Sequence, residues 1–199
     1  VSAGAGTLLG GFLTDLAAKK SGRWYALVPA IGLLVACPLY ILVYLQADWK
    51  LAAGLLLIPG IFHYTYLGPT FGVIQNAVSL RMRATATALL FLVLNFIALG
   101  FGPLFCGWGI DMLSQSIFAT KNLGSFFEMC PGGIGREGAG QVIDAACKAA
   151  TAKGTQQGII LNLLIYAWAG VHYLLAAITL PKDMAAALAQ TEAEAAAGR

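Results

Sequence analysis

The sequence predicts an all-α membrane protein, a bundle of four complete spanning helices and part of a fifth. Three observations carry that class. The composition is 59% hydrophobic and only 11% charged, with a mean hydropathy of +0.77, outside the range of soluble chains. Apolar runs long enough to cross a bilayer alternate with short polar turns. The basic residues gather in those turns rather than on a face or in a tract, which is how orientation signals are distributed. A net charge of +3 scattered in this way excludes a nucleic-acid partner and leaves the lipid bilayer as the surrounding medium.

Residues 1–16 are small and apolar, with Gly6 and Gly10 at GxxxG spacing. They suffice for half of a span, packed closely or hinged at those glycines. The chain opens without Met or a charged leader, so the expectation is a chain cut within a helix whose first half lies upstream. A polar, cationic turn follows, running from Asp15 through Lys19, Lys20, Ser21 and Gly22 to Arg23.

Residues 25–46 form the first complete span. At the helical rise they reach about 33 Å, enough for a hydrocarbon core of about 30 Å. Pro38 removes a backbone donor there and is expected to kink the helix. Asp48, Trp49 and Lys50 make the far turn, with Trp49 suited to the interface.

Residues 51–79 exceed what a bilayer needs and are interrupted by Pro59-Gly60 and Gly68-Pro69. Irregular backbone at membrane depth is tolerated where it is buried in protein or lines a water-filled cavity. Arg81 and Arg83 then fill a short turn. Residues 84–113 are the next span, apolar apart from Thr85, Thr87 and Asn95, glycine-rich toward its end, with Asp111 near its exit.

Residues 114–155 are polar and glycine-rich and read as an extramembrane loop, with a short helix expected over 141–152 from the spacing of Val142, Ile143, Ala146 and Ala150. Residues 156–180 make the last span. Pro181-Lys182-Asp183 is expected to end it, leaving an Ala/Glu-rich tail, 181–199, as frayed helix or disordered chain.

With the turn at 17–24 placed in the cytoplasm, Lys19, Lys20, Arg23, Arg81, Arg83 and Lys182 share that side, against Lys50, Lys121, Arg136, Lys148 and Lys153 opposite. The count is nearly even. The first set, however, is concentrated in short turns and the second is diluted with acids over a long loop, so density favours this orientation and a cytoplasmic C-terminus. Cys130 and Cys147 then lie outside, where a disulfide persists; two unpaired thiols are the alternative. Without a histidine in that loop, two thiolates do not complete a metal site.

The order of motifs resembles the major facilitator superfamily of transporters. Gly10-Gly11 with Asp15, followed by a basic turn closing on Gly22-Arg23, is similar to the loop signature of that family. Within it the chain most resembles the spinster-like bacterial members, on Arg23-Trp24-Tyr25, Tyr66-Leu67-Gly68-Pro69 with Gln75, Arg81-Met82-Arg83-Ala84, Leu94-Asn95-Phe96-Ile97 and Leu99-Gly100-Phe101-Gly102-Pro103. Two features depart from the signature: Leu16 stands where an arginine is usual, and Asp15 lies further from Gly22.

The resemblance implies helices eight to twelve of a twelve-helix carrier, in a bacterial inner membrane, partnered by the missing N-terminal half. It also implies alternating-access transport of a small or amphipathic organic solute, lysolipid-like. Gly11, Asp15, Lys19, Lys20, Gly22 and Arg23 would form a conformational latch on a helix of the other half. A proton-coupled drug, sugar or organic-acid carrier and a non-transporting scaffold are the other readings.

His63, Tyr64 and Tyr66 fall near the middle of one span and Asn95 near the middle of the next. They are the candidates for a substrate cavity, with Gln75 nearer the cytoplasmic end. For His63 a substrate or proton role stands beside a neutral imidazole bonded to a neighbour. Tyr64 and Tyr66 point in different directions on a regular helix, so at most one is expected to face a cavity. His172, with Trp168 and Tyr173, reads as interfacial or packed. No catalytic triad, phosphate loop or metal-spaced cluster is present, so neither an enzyme nor a cofactor is expected.

Overall fold

In the computed structural model residues 1–197 are described. They are helical wherever they are regular, with no strand among them. Four helical stretches are long and apolar enough to cross a membrane: Trp24–Tyr44, Trp49–Asn76, Arg83–Ala119 and Gln141–Ala193. Ahead of them lies α1 (Ser2–Ala18), so the bundle has the predicted four long spans and a shorter leading helix. The chain divides into two compact units, residues 1–94 with 164 onward, and residues 95–163.

In the first unit, α2 (Trp24–Tyr44) shows how these helices arise. Ala26, Ala30, Leu33 and Cys37 recur at helical spacing and are buried, while Ile31 and Leu42 face outward and are exposed. An apolar outer face of this kind suits lipid rather than water.

The third span is broken into α3 (Trp49–Leu55), α4 (Leu57–His63), a 3-10 turn over Tyr64–Tyr66, and α5 (Leu67–Asn76). Asp48 caps α3 by accepting from the Lys50 amide at 2.8 Å, which satisfies one of the orphan donors at a helix start. Both breaks have the same cause. A proline offers no N–H to the carbonyl four residues earlier, and its ring crowds that carbonyl. Counting back from Pro59 reaches Leu55, where α3 stops; counting back from Pro69 reaches Thr65, the middle of the 3-10 turn.

The close approaches define the directions of the helices. Gly6 faces Ile61 and Tyr64, and Gly10 faces Thr65, so α1 runs parallel to the broken span. Gly32 faces Phe62 and Thr65, while Tyr25 reaches Gly72, so α2 runs antiparallel to it. The last helix, α9 (Gln141–Ala197), brings Gly170 against Ala30 and Leu34, and Pro181 to within 3.7 Å of a Cβ built on Gly22. The basic turn and the Pro181 end of α9 therefore meet at one end of this unit. Helix α6 (Arg83–Leu94) packs beside α5, with the Phe71 and Phe91 rings 5.2 Å apart.

In the second unit a π-helical turn, Asn95–Phe101, precedes α7 (Gly102–Ala119). The same arithmetic applies, since four residues before Pro103 lies Leu99, inside that turn. Gly154 and Gly158 of α9 pack against Ser114 and Ile110 of α7, with no room for a side chain. Phe118, Phe126, Cys147 and Ala150 form a small core with Cys130, and Cys130 is disulfide-bonded to Cys147. Phe126 belongs to the one-turn helix α8 (Phe126–Met129).

Beside the disulfide the loop is tied to α9 by polar bonds. The Gly135 amide donates to Asp144 at 3.0 Å, and Thr151 donates to the Gly133 carbonyl at 3.1 Å. Gly132 and Gly133 have φ of 68° and 84°, a left-handed conformation that glycine adopts without strain. Lys148 pairs with Asp144 at 2.7 Å. That hydrogen-bonded ammonium and the Gly135 amide hold the Asp144 carboxyl below the usual carboxylate range. A depressed carboxyl keeps its contribution above its unfolded value and loses it as pH falls, so these ties weaken only in acid.

Three expected boundaries differ. The fourth span runs on to Ala119 rather than 113. The helix expected over 141–152 does not stop but continues into the last span. Nor does the helix end at Pro181; it passes through to Ala197, so residues 181–197 take the helical form of the two expected for the tail. The strong helix formers on both sides, Ala176-Ala177 before and Met184-Ala185-Ala186-Ala187-Leu188 after, outweigh one missing backbone bond. Residues 198 and 199 of the tail lie outside the described residues.

A ring of tyrosines around His63

The 3-10 turn is the centre of the candidate site, and its seat is made of glycines. Thr65 is 3% exposed and is held between α1 and α2. A Cβ on Gly10 would fall on the Thr65 backbone, and one on Gly32 would meet the Thr65 hydroxyl and come within 2.7 Å of the Phe62 carbonyl. Thr65 satisfies its own hydroxyl by donating to that carbonyl at 2.7 Å. Only bare backbone on both neighbours lets the irregular turn lie this deep.

The turn also changes where its side chains point. On a regular helix Tyr64 and Tyr66 diverge; here both rings lie beside the imidazole of His63, stacked at 4.6 Å and 5.9 Å between centroids. Tighter winding removes the 100° spacing on which the sequence expectation rested. Tyr166 of α9 approaches the same imidazole at 4.6 Å, and Tyr40 of α2 sets its hydroxyl 3.4 Å from His63 Nδ1. Tyr40 and Tyr166 lie 5.8 Å apart. Four tyrosines from three segments thus surround one half-buried histidine.

One turn further along, Thr70 and Tyr173 share a 2.7 Å hydrogen bond. Thr70 has a single hydroxyl proton and gives it to the Tyr66 carbonyl at 2.6 Å, so Tyr173 is the donor to Thr70. This bond ties α5 to α9 beside the ring cluster.

Of the other candidates, Gln75 is exposed in the last turn of α5. Asn95 belongs to the second unit, where it is exposed and opens the π-helical turn. His172 lies exposed on α9, its Nδ1 2.9 Å from the Trp168 carbonyl and its ring edge-on to that indole.

The latch residues lie at and after the end of α1. Gly11 contributes to a close approach, its amide 3.3 Å from a Cβ built on Gly68. Gly22 lies against Pro181 and Met184. Asp15, Lys19, Lys20 and Arg23 are exposed. Asp15 sits in the last turn of its own helix and Arg23 at the N-cap of the next, so each charge occupies the end its own helix dipole disfavours. No ion pair reaches Asp15 among the described residues. An apolar groove of about 410 Å³ lies next to this turn, floored by Leu13, Val28 and Phe62 and edged by Lys20 and Trp24.

The sequence expectation missed Tyr40, Tyr166, Thr70 and Gly32. Tyr40 and Tyr166 were readable as tyrosines within apolar spans, but their meeting at His63 requires helices far apart in sequence to pack side by side.

No family model matches the chain. Among curated proteins it is similar to an MFS-type efflux pump of Mycolicibacterium smegmatis (strain ATCC 700084 / mc(2)155), 32% identical over 120 residues, which is 60% of this chain and 26% of that protein. Among solved structures it is similar to a bacterial homolog of the human lysosomal transporter Spinster in its inward-facing, unoccupied conformation. The TM-score is 0.79 at 33% identity, over 92% of this chain and 38% of that one. The inward-facing, occupied conformation gives a TM-score of 0.76 at 33% identity, over 92% and 40%. The chain thus spans about a quarter of the pump and two-fifths of the spinster homolog. With its multi-pass helices, its broken third span and this similarity in sequence and in fold, the chain is similar to transporters of the major facilitator superfamily, its spinster-like bacterial members among them.

Proposed function

We propose that the chain is the C-terminal part, helices eight to twelve, of a secondary carrier in a bacterial inner membrane. It moves a small or amphipathic organic solute by alternating access. The observation that carries this reading is the similarity over 92% of the chain to a spinster homolog solved both unoccupied and occupied. A carrier binds its solute between two halves and exposes the site to either side, the solute shifting the balance between states by its differential affinity.

In this reading the broken third span, with His63, Tyr64, Tyr66 and Gln75, supplies polar groups of a substrate site, and Asn95 of the second unit is a separate candidate for solute contact. Rings and hydroxyls in place of a dense charge favour an amphipathic solute. The lysolipid-like class rests on family resemblance, and one fold serves many substrates. Asp15 and the cations Lys19, Lys20 and Arg23, with Gly11 and Gly22 shaping the turn, act as the cytoplasmic latch. The placement of Asp15 and Arg23 at disfavoured helix ends supports a partner outside this chain, since a carboxylate is stabilised at the N-terminus of another helix. The latch partner and the rest of the pathway come from the remainder of the carrier.

The test is solute uptake by the full-length carrier in proteoliposomes, across amphipathic lipids, drugs, sugars and organic acids. Asp15→Asn should change the rate of uptake and Asn95→Ala the apparent affinity. Folded protein that moves none of the panel supports the scaffold reading instead.

A further inference from the structure

We infer that His63 is the proton-binding site of the carrier, with Tyr40 as the group that senses its protonation. This rests on the carrier reading above and assigns its coupling ion and the residue that takes it. The argument begins with what surrounds the imidazole. From its own segment come the Tyr64 and Tyr66 rings, from α2 the Tyr40 hydroxyl, and from α9 the Tyr166 ring. Tyr44 stands near Tyr40 and Tyr166. The elements packed against the turn set no carboxylate, lysine or arginine against His63 among the described residues, and α1 presents Gly6 and Gly10 to this region.

Such a shell treats the two protonation states differently. A neutral imidazole with a bare Nδ1 accepts the Tyr40 hydroxyl proton. When it takes one proton from water it becomes an imidazolium, and both ring nitrogens then donate. Nδ1–H must find an acceptor, so the Tyr40 oxygen turns to receive rather than give, and the 3.4 Å contact reverses its direction. The added positive charge meets the faces of Tyr64, Tyr66 and Tyr166, whose quadrupoles attract a cation without binding it as tightly as a carboxylate would. Release of the same proton to water on the other side restores the first arrangement. A site that accepts a proton and also gives it up is what coupling requires, and histidine is the side chain whose charge changes between about pH 5 and 8.

The position supplies the mechanical link. His63 is the last residue of α4 and immediately precedes the 3-10 turn, so its bonding to α2 and α9 changes at the point where the third span is already broken. Ionisable side chains within membrane spans mark ion pathways, and a backbone break is where two halves of a span can move separately.

The test uses the full-length carrier. The His63 imidazole is followed by NMR through a pH titration, its resonance assigned through its ring contacts with Tyr64 and Tyr66, and solute uptake is measured with and without an imposed pH gradient. The expected result is a His63 titration between about pH 5 and 8 and a gradient-to-no-gradient uptake ratio well above one. His63→Gln should bring that ratio to one whatever its absolute rate, and Tyr40→Phe should retain stimulation while moving the titration midpoint. Gradient stimulation that survives His63→Gln, a wild-type ratio of one, or a His63 resonance silent through that range overturns the inference. If His63→Gln fails to fold, the wild-type titration and the Tyr40→Phe shift decide it. Wild-type protein that exchanges no solute even without a gradient removes the carrier reading, and this inference with it; exchange without a gradient response removes this inference alone.

Discussion

At the scale of single residues, the site depends on side chains that are absent. Gly10 and Gly32 press on Thr65 from two helices, and a methyl group at either would meet backbone or a buried hydroxyl. Overpacking of this kind costs about 1–3 kcal/mol. Gly10→Ala and Gly32→Ala should each lower the thermal unfolding midpoint in detergent. Gly4→Ala, with nothing within 4 Å of the new methyl, should leave it in place or raise it slightly, since alanine is the better helix former. Equal midpoints for all three variants would mean that the turn is not seated between α1 and α2. The sequence exposes part of this. Gly6 and Gly10 stand at a spacing that announces close packing, and Gly32 carries no such flag within its apolar run. What each glycine accommodates is invisible until distant helices are laid together, as is the convergence of Tyr40 and Tyr166 on His63.

At the scale of elements, prolines explain most of the irregularity. Pro59, Pro69 and Pro103 each sit four residues past a break or a widened turn. This arithmetic was legible for the third span, where Pro59-Gly60 and Gly68-Pro69 signal interruption, although the breaks fall one turn before the prolines. Pro29, Pro38 and Pro181 lie inside continuous helices. The difference at Pro181 is one of neighbours, since alanine and leucine on both sides carry the helix through. The disulfide loop is held in another way, by a small core and a covalent bond. The Cys130–Cys147 bridge closes a short loop over the face of α9, and a native bridge of this length contributes about 2–4 kcal/mol. The double variant Cys130→Ser/Cys147→Ser should therefore unfold at a lower midpoint and be cut by protease within residues 120–140 before the helices are touched. Unchanged stability and unchanged protease resistance would show that the polar ties at Asp144 and Thr151 suffice alone.

At the scale of the whole molecule, the pattern of exposure is that of a bundle in lipid. Leu42, Leu92, Phe96, Leu104, Trp108 and Ile178 are all at least half exposed, on helices long and apolar enough to span a bilayer. The same large side chains would form an unfavourable apolar surface in water. Composition alone made this class readable, because no soluble fold needs 59% apolar residues in runs of this length. The basic turn and the Pro181 stretch of α9 meet at one end of their unit, and the proposed orientation, with Lys19, Lys20, Arg23 and Lys182 in the cytoplasm, follows the positive-inside rule. The carrier reading counts three crossings between Ser21 in that turn and Ser125 in the disulfide loop, and so predicts that the two positions are reached from opposite faces of the membrane. The most direct measurement is labelling of single cysteines at these positions by a membrane-impermeant maleimide, with Cys37 and Cys106 replaced. In intact cells Ser125→Cys should react at once and Ser21→Cys only after the membrane is opened. Reaction of both in intact cells, or the reverse order, would contradict the order of crossings on which the carrier account stands.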